Sequence, residues 1–203
     1  DALWQVSPVE GLEHPEAHRF DGQRSAFEER IGRGRPFVSW FRLLDGGRAY
    51  PGEIVSDPDM MEGSMEQLTE LLDKEAPIDV LVAFSQGVLM GTFLANRLRK
   101  LGKPIPWRLA LLFTSTGPCA CDMFEEPLRV PAVFATSQQY EQYFLGITSL
   151  PKLYGDMTVL EHPDGLNFPS TQPRASEIYQ RMAGEFWQHC REPKGEPKRS
   201  GTW

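Results

Sequence analysis

Long hydrophobic runs are missing from this 203-residue chain. The longest apolar stretches, such as Leu109 to Phe113, are of strand length, well short of the roughly twenty residues needed to cross a bilayer. No membrane span is therefore expected. Cysteine is scarce: Cys119, Cys121 and Cys190 form no disulfide framework, and Cys119-x-Cys121 lacks the spacing and partners of a zinc site. The expectation is free thiols in a reducing, intracellular compartment, the cytoplasm first, with no metal and no cofactor. A basic excess is absent too. The formal net charge of -7 argues against nucleic acid as the main partner, because phosphate binding wants a basic face. The chain opens on Asp1 rather than Met and carries no signal peptide. Any targeting segment upstream would be invisible, and organelle import stays compatible with the sequence.

What is present suits one soluble domain. With 40% hydrophobic and 24% charged residues the composition is ordinary, the length allows one substantial core, and no linker divides the chain. A single domain is expected over residues 1–191, with an irregular loop insertion at 14–36 and a flexible tail at 192–203. That loop is expected to hold a short helix near Ser25 to Ile31. The basic clusters Arg30 to Arg35 and Lys194 to Arg199 read as a solvated loop and tail rather than an RNA-binding face.

Five short apolar runs read as buried strands of a parallel sheet: Leu3 to Val6, Val80 to Phe84, Leu109 to Phe113, Ala132 to Ala135, and Thr158 to Leu160. Between them lie helical patterns. Met61 to Lys74 places Met61, Met65, Leu68, Leu71 and Leu72 inward. Val88 to Lys100 ends on basic residues followed by Gly102 and Pro104, a strong stop signal. Ser176 to Arg191 turns Ile178, Met182, Phe186 and Trp187 to its buried side. This alternation predicts an α/β fold, a three-layer sandwich with a mostly parallel sheet. Trp40, Trp107, Trp187 and the phenylalanines read as core rather than as an acyl pocket.

The most specific segment is Val80-Leu81-Val82-Ala83-Phe84-Ser85-Gln86-Gly87-Val88. It runs from an apolar strand through a tight turn into a helix, the setting of a G-x-S-x-G nucleophile elbow, with alanine in place of the first glycine. The backbone N–H of Gln86 would supply one donor to a developing oxyanion. The competing reading is an ordinary helix-capping serine.

Ala76-Pro77-Ile78-Asp79-Val80-Leu81-Val82-Ala83-Phe84-Ser85-Gln86-Gly87 closely resembles the G-P-F-D-G-V-x-G-F-S-Q-G stretch of the FSH-type serine hydrolases, small α/β-hydrolases that look like short-chain esterases. Further segments resemble the family in the right order. They include Trp4 to Pro8, Trp40-Phe41 with Tyr50-Pro51-Gly52 and Ser64, Leu111 to Gly117, Val130 to Phe134, and His162 to Pro169, which resembles H-x-G-G-H-x-x-P. The likeness implies an α/β-hydrolase fold with Ser85 at the nucleophile position. It also implies three departures. Aligned on Pro131, the catalytic aspartate position holds Tyr140; aligned on the last loop, the catalytic histidine position holds Leu166. The opening strand with its L-H-G loop has no counterpart before Trp4.

A serine hydroxyl needs an adjacent base to take its proton, and leucine cannot serve. The expectation is a catalytically degenerate hydrolase fold acting as a structural or interaction subunit, with other protein subunits as partners. An active esterase or thioesterase is the alternative. There His162 would act as substitute base after a loop shift, oriented by Asp156 or Asp164. A third reading keeps the site as a sensor for a small ester or acyl ligand.

Overall fold

The computed structural model describes residues 40, 58–115, 124–137, 150–165 and 167–191, with backbone alone for 58–60. The expected Leu3 to Val6 strand, the 14–36 loop and the 192–203 tail lie outside the described residues, as do Cys119 and Cys121. So do both departures from the triad, Tyr140 and Leu166.

Three helices and four strands are described, in the order α1 (Pro58–Glu75), β1 (Val80–Phe84), α2 (Gln86–Lys100), β2 (Leu109–Phe113), β3 (Ala132–Thr136), β4 (Met157–Glu161) and α3 (Arg174–Cys190). The strands form one sheet in the order β1-β2-β3-β4, every neighbouring pair parallel. All four C-terminal ends therefore meet at one edge. The fold is α/β, as the alternation of runs predicts.

Side-chain alternation builds the layers. Ala83, Ala110, Leu112, Ala132 and Phe134 point to one face, where Val88 and Ala95 of α2 pack on them. Leu111, Phe113, Val133 and Ala135 point to the other, against Ile178 and Met182 of α3. The central strands are buried on both faces, which is why β2 and β3 read as unbroken apolar runs rather than alternating ones. Helix α1 stands behind α2, where Met61, Met65 and Leu68 surround Leu89, Met90 and Phe93.

Two glycines set how these layers meet. A Cβ on Gly91 would lie 2.7 Å from Leu81 Cδ2, so the missing side chain lets α2 approach β1 closely. Gly102 takes φ 67° just past the end of α2. There Gly102 N–H donates to Arg99 O at 2.9 Å and Lys103 N–H to Leu98 O at 2.9 Å, the paired bonds that close a helix on a left-handed residue.

Helix α3 corrects one expectation. Ile178 and Met182 are buried, but Phe186 is 38% and Trp187 62% exposed. The helix crosses β2 and β3, and its last turn ends beside the start of β1, where Cys190 Sγ donates to Asp79 O at 3.6 Å. Val82, in the middle of β1 on this face, is itself 61% exposed. Toward β1 the helix passes beyond the part of the sheet it covers, and its late aromatics stack on each other, ring centroids 5.7 Å apart. Trp187 is thus surface, whereas Trp107 is core, 3% exposed.

Candidate functional site

Ser85 stands between the end of β1 and the first residue of α2. Its φ of 50° and ψ of -116° fall in a region that non-glycine residues rarely enter. Two acceptors hold it there: Ser85 N–H donates to Phe113 O at 3.0 Å and to Thr114 O at 2.8 Å. The side chain makes no capping hydrogen bond to the helix, which removes the capping reading. A strained serine at a strand–turn–helix junction is the geometry of a nucleophile elbow. Gly87 is not needed for space, since an added Cβ there would meet nothing within 4 Å among the described residues.

Thr114 shares the strain. A β-branched residue at φ 45° is a true outlier, at a cost of about 1–3 kcal/mol. Its N–H donates to Ala135 O at 2.9 Å, locking the end of β2 onto β3. No sequence signal singled it out.

Gln86 opens α2, so its backbone N–H belongs to the end of the helix that favours negative charge. Its side chain does something the sequence did not suggest. Gln86 Oε1 accepts the Trp40 N–H at 2.9 Å, and the Trp40 carbonyl accepts the Ser64 hydroxyl. The turn is thereby tied to α1 through a residue far from both in sequence.

His162 follows β4 at the same sheet edge. Its N–H donates to Thr136 O at 2.9 Å, extending the ladder. The ring is buried, and its Nδ1 accepts the Asp164 N–H at 3.2 Å. A backbone N–H can only donate, so this contact favours the tautomer with the lone pair on Nδ1 and the proton on Nε2. Nε2 is buried without a hydrogen-bond partner among the described residues. This is the reverse of what a serine base requires, namely a protonated Nδ1 held by a carboxylate and a bare Nε2.

Neither proposed orienting acid is placed for that role. Asp156 immediately precedes β4 at the opposite edge of the sheet, with its carbonyl accepting Ala132 N–H at 2.9 Å. Asp164 sits 3.6 Å from His162 Nδ1 through Oδ2, too far for a hydrogen bond, and its carboxylate is committed elsewhere. It accepts Ser170 N–H at 2.9 Å, Ser170 Oγ–H at 2.9 Å, Thr171 N–H at 3.1 Å and the Thr171 hydroxyl. Asp164 is the brace of its loop.

That loop folds back across the sheet. Phe168 packs on Phe84 and Phe113, centroids 4.6 and 4.8 Å apart, and Tyr179 of α3 donates its hydroxyl to Pro169 O at 2.9 Å. The segment leaving β4 thus returns to the strand end that carries Ser85.

These environments fix a pH dependence. Burial pushes the His162 imidazole below its ordinary value, with the Asp164 carboxylate opposing and the Arg174 charge adding to the shift. Hydrogen bonds from Thr171 and Ser170 hold the Asp164 carboxyl well below the usual carboxylate range. Both groups have depressed values in the folded state. Each therefore contributes stability that is complete above its unfolded value and lost as pH falls through the folded one. Urea-unfolding free energy should decline first below about pH 6.5 and again below about pH 4, the unfolded values of His and Asp. His162→Gln should remove the first step and leave the second; a first step that survives would show that another group carries it.

A parallel sheet sandwiched by helices, with a strained serine at the elbow after its strand, defines a protein of the α/β-hydrolase type. The chain belongs to the Serine hydrolase (FSH1) family, whose model matches residues 7–178. No curated protein matches it. Among solved structures it is similar to fungal esterases from Rhizomucor miehei, with 8% identity, TM-score 0.47, and 64% of this chain and 58% of that chain covered. It is also similar to a carboxylesterase from Mesorhizobium loti, with 15% identity, TM-score 0.45, and 77% and 79% covered. The chain thus spans about 58% of the length of the first of these. Among the described residues no helix is long and apolar enough to cross a membrane, and no cluster of metal-ligating side chains occurs.

Proposed function

We propose that this chain is a serine-hydrolase scaffold that binds without hydrolytic turnover and works as an interaction subunit of a larger assembly. The observation that carries the reading is the setting of His162. Its Nδ1 faces the Asp164 N–H at 3.2 Å and stands 3.6 Å from the Asp164 carboxylate, so the ring lacks the close orienting acid that a serine base requires. The other imidazole among the described residues, His189, lies in the last turn of α3, near the opposite sheet edge. The family's histidine and aspartate positions hold Leu166 and Tyr140 in the sequence. The exposed Phe186, Trp187 and Val82 support a partner role, since they supply apolar surface that another subunit would cover.

The second reading, an active esterase or thioesterase, is favoured by the intact strain at Ser85. A fluorophosphonate probe separates the two, because it reacts with serines activated by a base. The folded chain should remain unlabelled at neutral pH. Labelling that disappears in Ser85→Ala would establish the esterase and end the interaction reading.

A further inference from the structure

Helix α3 carries an apolar stripe at four-residue spacing, Ile178, Met182, Phe186 and Cys190, which keeps these side chains on one helix face. Ile178, Met182 and Cys190 are buried, and Cys190 Sγ donates to Asp79 O, so the stripe faces the sheet along its length. Phe186 interrupts the burial at 38% exposed. Val82, three residues beyond Asp79 on the strand that α3 leaves uncovered, is 61% exposed. Trp187 stands edge-on to Phe186 and is 62% exposed. One surface thus holds a bare stretch of sheet and, beside it, a projecting indole. The run Val-Leu-Val-Ala-Phe of β1 is of the kind that parallel strands use when buried on both faces, and water on Val82 is out of keeping with it.

We propose that this face is where a second copy of the chain docks, with Trp187 of each copy covering Val82 of the other about a two-fold axis. A surface that carries both the knob and the bare sheet is complementary to itself, and a two-fold makes each contact twice. The flanking ionic groups already pair within the chain. Arg108 meets Asp79 at 3.7 Å, and Glu185 meets Arg181 at 2.8 Å and His189 at 3.3 Å. Two identical surfaces can therefore meet without opposing like charges, which would keep them apart. A tryptophan seated on an apolar partner is the kind of anchor that dominates an interface. The inference deepens the reading above by naming the partner, and rests on it for the partner role of this surface. Ser85 labelling and particle mass are separate readouts, so either can fail alone.

Sedimentation equilibrium of the full chain over a dilution series should show a monomer–dimer equilibrium. Val82→Asp and Trp187→Lys should each weaken it about tenfold or more, because each sets a charge against an apolar side chain at both copies of the contact. Mixed together, the two variants should form a heterodimer tighter than either homodimer. One Val82–Trp187 contact then returns, and at the other the introduced carboxylate meets the introduced ammonium. Both positions are more than half exposed, so the melting temperatures should stay near the parent's. A parent chain that is monomeric at every concentration would overturn the proposal, even if a different protein covers this face. Dimerisation undiminished in either variant, or a mixture no tighter than its components, would overturn it too. Should one variant not fold, the mass of the parent and the behaviour of the other variant decide the matter.

Discussion

Replacing Leu166 by His and Tyr140 by Asp together is expected to make Ser85 reactive toward fluorophosphonate, whereas Leu166→His alone should leave it silent. The elbow is already built: strained, without a capping bond, and at the mouth of a helix. On the proposed reading the missing part is proton chemistry. The family resemblance puts the base at position 166, and Phe168, two residues further on, packs on Phe84 and Phe113 at the strand ends beside Ser85. Without a carboxylate at position 140 nothing would hold that ring in the tautomer that leaves Nε2 bare. Loss of the orienting acid alone costs about 10⁴-fold in turnover in a serine triad. The doubly substituted chain should therefore label roughly 10³-fold faster or more than the singly substituted one. Comparable labelling of the two would mean that another acid serves, and that position 140 is misassigned.

Asp164→Ala should destabilise the chain by about 1–2 kcal/mol, the loss of one charge-assisted cluster discounted for the exposure of its donors. The carboxylate receives the backbone N–H groups of Ser170 and Thr171 and both their hydroxyls, at the approach to α3. Ser170 and Thr171 are exposed, so after truncation water meets part of their need. Asp164→Asn keeps one acceptor oxygen and should lose about 1 kcal/mol. Urea denaturation at pH 7 measures both. An Asp164→Ala chain as stable as the parent would show that water satisfies these donors equally well, and that the residue braces nothing.

Strand positions were legible because each is a short apolar run of strand length bounded by turn signals. Val80 to Phe84 and Leu109 to Phe113 match the sequence expectation residue for residue, and Ala132 and Thr158 mark their strands to within a residue or so. Helix faces were less legible. Periodicity placed Phe186 and Trp187 inward because it knows the stripe but not where the sheet beneath it stops. The turn at Ser85 was visible from its strand-to-helix context. Thr114 was not, because positive φ leaves no mark on a threonine. The reach of Gln86 to Trp40 depends on a tertiary contact between segments 46 residues apart, and no local pattern encodes that. Asp164 was seen as a possible partner for His162; only coordinates reveal that Ser170 and Thr171 had already claimed it.

The bridge from Gln86 through Trp40 to Ser64 has a mechanical consequence. Whatever displaces the Gln86 side chain also pulls on the main chain of Trp40 and, through its carbonyl, on Ser64 of the neighbouring helix. An event at the turn is thus passed to α1 along main-chain bonds, with no side chain of Trp40 in the relay.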